Sequence, residues 1–326
     1  MPTVAHRLFS GLAAVAALCL SGSVLAQAWP SKPVRIIVPY TAGGSSDFTA
    51  RTVGEKLGPL LGVQVVIENK PGGNTLIATE FVAKSAPDGY TVLLAGLTTY
   101  GAQPHMYKKL PYDLQKDFIP VNNAIVSPLV LSVHPSVPAR NLQEFIAYAK
   151  ANPGKINFGS AGVGNTLHLA LEKFKMSTGV QIVDVPYKGA SQAVIDLLAG
   201  NVQMMIDLVQ TPLQHINAGK LRALGTTGSQ RAGALPNIPT FKEQGLDYEF
   251  GAMIGFMVPA GVPREVVMRL HGDIARVMQM AEVREAFAKQ AMDPFTFASP
   301  EAYAAQFRRD IEEMGKLVRA AGIQPQ

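Results

Sequence analysis

From Trp29 onward, short continuous apolar runs alternate with stretches in which apolar residues recur every three or four positions, the signature of buried strands followed by amphipathic helices. Val34-Arg-Ile-Ile-Val38 predicts a strand buried on both faces. From Asp47 the spacing becomes helical, with Ala50, Val53, Leu57, Leu60 and Leu61 on one face and Gly62 as the stop. A strand over 63–67, a helix through Thr79, Phe81 and Val82, the turn Pro87-Asp-Gly89 and a strand over 91–95 complete two βαβ crossovers. Such crossovers build an open parallel sheet whose ligands bind beyond the carboxyl ends of the strands, which places 39–47 and 96–100 on one rim.

A similar series restarts downstream, with helices predicted over 142–151, 166–177, 190–198 and 211–218 and strands over 156–158, 182–185, 203–206 and 221–226. No repeat of fixed period accompanies it, so the repetition is architectural. The expected fold is α/β with two lobes, 27–124 plus 250–326 and 125–249. Extended segments 126–133 and 251–258 form the crossing strands of a double hinge, and helices over 263–280, 283–290 and 300–320 pack back on the first lobe.

Two glycine-rich turns stand out, each after a strand and before a helix: Pro39-Tyr-Thr-Ala-Gly-Gly-Ser-Ser-Asp47 and Gly159-Ser-Ala-Gly-Val-Gly-Asn-Thr166. Neither carries Lys or Arg. Helix N-termini approached by glycine backbone offer unpaired N–H groups and a positive dipole end, so two such turns can hold a small anion between two lobes. Neither completes a dinucleotide or P-loop fingerprint, and Ser160 lacks the glycine two positions earlier that a nucleophile elbow needs. His105, His134, His168, His215 and His271 are scattered, and the i, i+4 pair His168 and Glu172 reads as a local polar contact in a helix that supplies no third metal ligand. No catalytic residue, metal or cofactor is expected.

The first 26 residues change where this capture happens. His6 and Arg7 precede an apolar run over 12–20 and small residues ending at Val24-Leu-Ala26, the layout of a cleaved secretory leader, with Ala28 as a second cleavage option. The run is shorter than the ~20 residues that a spanning helix needs. Cleavage leaves 300 of the 326 residues, removes Cys19, the one cysteine, and lowers the net charge from +5 to +4. Disulfides, thiolate metal sites and cysteine nucleophiles are thereby excluded, and a charge spread without a basic run gives no sign of nucleic acid.

The motif series Pro39–Asp47 with Ala50-Arg51, Glu68-Asn-Lys-Pro-Gly-Gly73, Ala86-Pro-Asp-Gly-Tyr90, Leu110-Pro-Tyr-Asp113, Asp117-Phe-Ile-Pro120, Gly159–His168, Pro186-Tyr-Lys-Gly189, Gly219-Lys-Leu-Arg-Ala-Leu224 and Pro236-Asn-Ile-Pro-Thr240 resembles the Bug family of periplasmic solute-binding proteins of tripartite tricarboxylate transporters. The resemblance covers essentially the whole mature chain. It implies a type II periplasmic binding protein (Venus flytrap) fold with two crossover strands, monomeric and periplasmic. Such a receptor closes on a small carboxylate solute (an amino acid, a di- or tricarboxylate, or an aromatic carboxylate) and passes it to the transporter's membrane components. A sensor subunit for a membrane receptor and an enzyme on the same bilobal fold are the alternatives.

Carried onto this chain, the resemblance puts the first binding loop at Tyr40, Thr41, Ala42, Gly43, Gly44, Ser45 and Asp47 and the second at Ser160, Ala161, Gly162, Gly164, Asn165, Thr166 and His168. The glycines either admit a carboxylate to backbone N–H groups or simply make tight turns. Asp47 either caps its helix or accepts from a ligand amine or a water. Thr98 and Thr99, at the end of a strand, either donate to a carboxylate or cap the next segment. Tyr187, Lys188 and Gly189 occupy the matching place in the second lobe, with Lys188 either a contact or a solvated surface cation. Asp207 either faces the cleft, favouring an amine-bearing ligand, or caps the helix near Thr211. Two departures from the family pattern are Met253, where an aromatic residue is common, and Asn165, where a small residue such as Ser is frequent.

Overall fold

The computed structural model describes residues 29–40, 42–72, 75–162, 164–187 and 189–325. The expected leader, Thr41 and Lys188 lie outside the described residues. In chain order the elements are β1 (Val34–Val38), α1 (Ser45–Leu61), β2 (Val65–Asn69), α2 (Leu76–Ala83), β3 (Thr91–Gly96), α3 (Leu97–Met106), β4 (Phe118–Val133), α4 (Leu142–Ala151), β5 (Asn157–Ser160), α5 (Thr166–Thr178), β6 (Val183–Pro186), α6 (Ala190–Ala199), β7 (Met204–Leu208), α7 (Leu213–Asn217), β8 (Arg222–Thr226), β9 (Gly251–Pro259), α8 (Arg264–Gln279), α9 (Ala281–Lys289), β10 (Asp293–Pro294) and α10 (Pro300–Ala320).

β1 lies between β2 and β3 and runs parallel to both, as two successive crossovers require. β3 then meets β9, and β9 meets residues 118–128 of β4, both antiparallel, so this first sheet is mixed rather than parallel throughout. Residues 129–133 of β4 continue into the second sheet, pairing antiparallel with β7 and with β8, while β5 pairs parallel with β6 and β7. β4 therefore belongs to both sheets, and β9 enters beside it. Thr227 ties the two strands at the crossing: its hydroxyl oxygen accepts the Leu129 N–H at 2.8 Å and the Phe250 N–H donates to its carbonyl at 3.0 Å.

The amphipathic pattern explains the helices locally. In α1, Ala50, Val53, Leu57 and Leu61 are buried on one face, and Gly62 ends the helix in the left-handed region, its N–H returning to the Gly58 carbonyl. β2 starts two residues later than the spacing predicts, because that left-handed cap occupies the approach to it.

α3 departs further from expectation, since 96–100 read as the end of a strand. Gly101 and Pro104 lower its helix propensity, and packing supplies what propensity lacks. A Cβ on Gly101 would lie 3.2 Å from the Asp310 carbonyl oxygen and 3.1 Å from Met314 Cγ, so α10 approaches α3 at close range. The His105 ring adds a bond from Nε2 to the Ile311 carbonyl at 2.8 Å. α10 also does more than pack on the first lobe. Its Tyr303, Phe307 and Ile311 join the core under the first sheet, while Met314, Leu317 and Val318 join the core of the second. α3 divides the same way, with Tyr100 in the first core and Ala102 and Met106 in the second.

Candidate functional site

Both glycine turns sit at carboxyl ends of parallel strands, the first after β1 and the second after β5. In the first, Gly43 adopts φ +88°, Gly44 is the N-cap in extended backbone, and no described side chain caps α1. The first-turn N–H groups of α1 are therefore left to a ligand or to solvent. Asp47, read as either the helix cap or an acceptor for a ligand amine or a water, is the third residue of the helix. Its Oδ2 accepts the Gly43 N–H at 2.9 Å and Arg51 Nε at 2.9 Å, and its Oδ1 accepts Asn69 Nδ2 at 3.0 Å. Asn69 also donates to the Tyr40 carbonyl at 3.0 Å, tying the end of β2 to the turn. The Arg51 bond, with the Gly43 N–H and the Asn69 amide, outweighs burial and holds the Asp47 carboxyl down to about 2. Asp47 thus braces the turn from behind.

The second turn repeats this arrangement with different chemistry. Gly164 adopts φ +75°, Asn165 is the N-cap, and the Gly164 N–H donates to Nδ1 of His168 at 3.0 Å. His168 Nε2 lies 3.8 Å from Glu172 Oε1 and 3.9 Å from Asp184 Oδ2. The Asn165 side chain accepts the Leu167 N–H at 2.9 Å, so its carbonyl oxygen caps its own helix. Ser160 is buried, and its hydroxyl has no hydrogen-bond partner among the described residues. Gly162, at φ +105°, lies beside the Tyr187 carbonyl, which brings the β6–α6 loop against the turn, while the Tyr187 hydroxyl donates to Asp196 Oδ2 at 2.6 Å. Gly189 is the N-cap of α6, again without a side-chain cap.

α3 connects the two turns. At its start, the Tyr40 hydroxyl lies beside Gly96, the N-cap of α3, and Thr98 Oγ1 donates to the Gly251 carbonyl at 2.9 Å, at the head of β9. At its end, Met106 packs directly on Gly164. From Thr99 to Met106 an α-helix rises about 10 Å. The turns therefore stand at opposite ends of one short helix, a span suited to a small solute. Ala42, Gly43 and Gly44 are exposed, Ser45, Ala161, Gly162 and Thr166 are half-buried, and Met253 packs against the core that α2, α3 and α10 share. Arg51, Asn69 and Met106 were not singled out as site residues by sequence reasoning. Only the i, i+4 spacing of Asp47 and Arg51 was a visible signal.

Asp207 is placed differently from the turns. It is buried next to the last residue of β7, where Oδ1 accepts the Leu208 N–H at 2.7 Å and Oδ2 has no partner among the described residues. Burial pushes its carboxyl up to about 7. A raised carboxyl favours the folded state while it is protonated, so this contribution is complete below about pH 4, the ordinary Asp range, and is lost as pH rises through about 7. Asp207→Asn, a neutral isostere, is expected to match the parent near pH 4 and to exceed it by about 2–4 kcal/mol above pH 8 in urea unfolding. Equal stabilities at both pH values would refute this account of the residue. A separate surface groove of about 690 Å³, lined by Lys32, Arg35, Ile77, Phe81 and Tyr90 among others, opens beside the amino ends of β1 and β3 and shares no residue with either turn.

A family model described as tripartite tricarboxylate transporter family receptor, TctC, matches residues 49–323. Protein BugT of Bordetella pertussis is 35% identical over 311 residues, covering 94% of this chain and 95% of BugT. The solved periplasmic binding protein BugD is 33% identical with a TM-score of 0.75, covering 91% of this chain and 100% of its own. Rpa4515 of R. palustris, solved with adipate, is 32% identical with a TM-score of 0.78 over the same shares. The sheets joined through β4 and β9 are thus the two-lobed fold of periplasmic binding proteins. With the match spanning most of the chain and relatives above 30% identity along nearly its full length, the chain belongs to TctC, the tripartite tricarboxylate transporter family receptors.

Proposed function

We propose that this receptor captures a small carboxylate-bearing solute between the turns at 40–47 and 160–168 and delivers it to the membrane components of a tripartite tricarboxylate transporter. Export by the leader, with cleavage after Ala26 or Ala28, puts the mature monomer in the periplasm. The lobes are 27–124 with 250–326, and 125–249, hinged where β4 and β9 cross. Capture rather than catalysis is the role, since among the described residues neither turn presents a nucleophile paired with a base. The observation that carries the reading is α3, whose N-cap Gly96 lies beside Tyr40 of the first turn and whose Met106 packs on Gly164 of the second. The adipate held by Rpa4515 supports the ligand class. Closure follows if the solute binds the closed state better than the open one.

Refolded, ligand-free protein should be screened by thermal shift against dicarboxylates, tricarboxylates, amino acids and aromatic carboxylates. A carboxylate at about 100 times its Kd is expected to stabilise the protein by about 2.7 kcal/mol, several degrees in melting temperature for a chain of this size. No shift with any of these classes would count against the reading.

A further inference from the structure

The two turns share a tether that neither the helix-terminus argument nor the family match accounts for. In each, the residue before the N-cap is a glycine in the left-handed region, and its N–H donates to the side chain of the third helical residue, four positions on. In the first turn this is Gly43 to Asp47 at 2.9 Å, and in the second Gly164 to His168 at 3.0 Å. A bond at this place fixes the glycine's peptide plane and with it the direction of the N–H groups that follow. The two acceptors differ in chemistry. The Asp47 carboxylate also accepts Arg51 and Asn69 and remains an acceptor at any ordinary pH. His168 accepts through the Nδ1 lone pair, so the neutral ring carries its proton on Nε2.

We propose that His168 is a positioning residue that holds the second glycine turn in its binding shape through the Nδ1 lone pair, and that protonation of the ring releases this turn while the first, held by Asp47, stays set. The proposal rests on the reading of the two turns as jaws of one site. Protonating the ring puts a hydrogen on Nδ1, which then faces the Gly164 N–H donor to donor. Glu172 on its own helix and Asp184 on β6 both face Nε2, Lys175 pairs with Glu172 at 2.7 Å and offsets part of its charge, and α3 contributes the uncharged Met106. The ring is almost fully buried, so solvent does not replace the lost acceptor at Gly164. A receptor built this way grips in neutral medium and loosens one jaw in acid.

Two readings test this. In ligand-free protein, 15N NMR is expected to show the Gly164 amide shifting together with the His168 ring signals as pH is lowered, while the Gly43 amide stays constant. Calorimetric titration with adipate, a probe whose carboxyls are largely ionised above about pH 6, is expected to give roughly tenfold weaker binding near pH 6 than near pH 8, the loss of one hydrogen bond. In His168→Asn, whose amide oxygen falls near the position of Nδ1 and does not titrate, the ratio of the two affinities is expected to fall to about 1. A Gly164 amide that ignores the His168 titration overturns the proposal even if the variant fails to fold, and so does an unchanged ratio in the Asn variant. A coupled Gly164 shift with no adipate binding supports the tether and sets adipate aside as a solute.

Discussion

Gly255→Ala is expected to destabilise the receptor by about 3 kcal/mol or more, the largest effect of any single methyl group added at its crossing strands. Gly255 lies in β9 between Ala95 of β3 and Asn123 of β4, where the first sheet meets the crossing. A Cβ there would fall on the Tyr303 hydroxyl, 2.7 Å from the Asn122 carbonyl oxygen and 2.8 Å from Asn123 Cα. Tyr303 belongs to α10, whose rings fill the core behind the strand, and the other two atoms are backbone of β4. Neither can withdraw without breaking the ladder. Removing the ring in a Gly255→Ala, Tyr303→Phe double variant should recover little, because the backbone contacts remain. Urea unfolding at neutral pH measures the loss, and a change below 1 kcal/mol would mean that the strands sit farther apart than described.

The second large effect lies at the site. Gly164→Ala is expected to cost about 2–5 kcal/mol and to weaken carboxylate capture by more than tenfold. Alanine at φ +75° carries a backbone penalty of about 1–2 kcal/mol. Its methyl would also overlap Met106 Cε and lie 2.7 Å from its Sδ, an overpacking cost of about 1–3 kcal/mol. Methionine is flexible, but Met106 is held in the core with Met314, Leu317 and Val318, so its movement disturbs the packing of α3 on α10. Met106→Ala on the Gly164→Ala background is therefore expected to relieve the collision and leave the backbone penalty. If the double variant is no more stable than expected from adding the two single losses, α3 does not pass strain between the turns.

Strand–turn–helix order was legible wherever local chemistry decides it. α4 and α10 begin and end where periodicity and caps place them: Asn141 accepts the Glu144 N–H, and Ser299 caps the Ala302 N–H just before Pro300. Both glycine turns were visible for the same reason. α3 was not, because Gly101 and Pro104 argue against a helix and only the close approach of α10 decides for it. Asp47 was legible as a helix-start residue, but its partner Asn69 reaches it only when β2 lies beside β1. The bonds of Gly43 to Asp47 and of Gly164 to His168 are local, four residues apart, and depend on the left-handed glycine conformation that residue types alone do not reveal. Asp207 was read as either facing the cleft or capping the helix near Thr211, and the fold buries it with Oδ1 accepting the Leu208 N–H.

The central claim is that both turns meet one carboxylate, and a crystal structure of the refolded receptor with adipate, or with whichever carboxylate raises its melting temperature most, tests it directly. The account predicts a carboxylate group within hydrogen-bonding reach of a first-turn N–H of α1 and of an N–H in 161–166, with α3 alongside. A carboxylate held by one turn alone, or bound in the groove between Arg35 and Phe81, would contradict it.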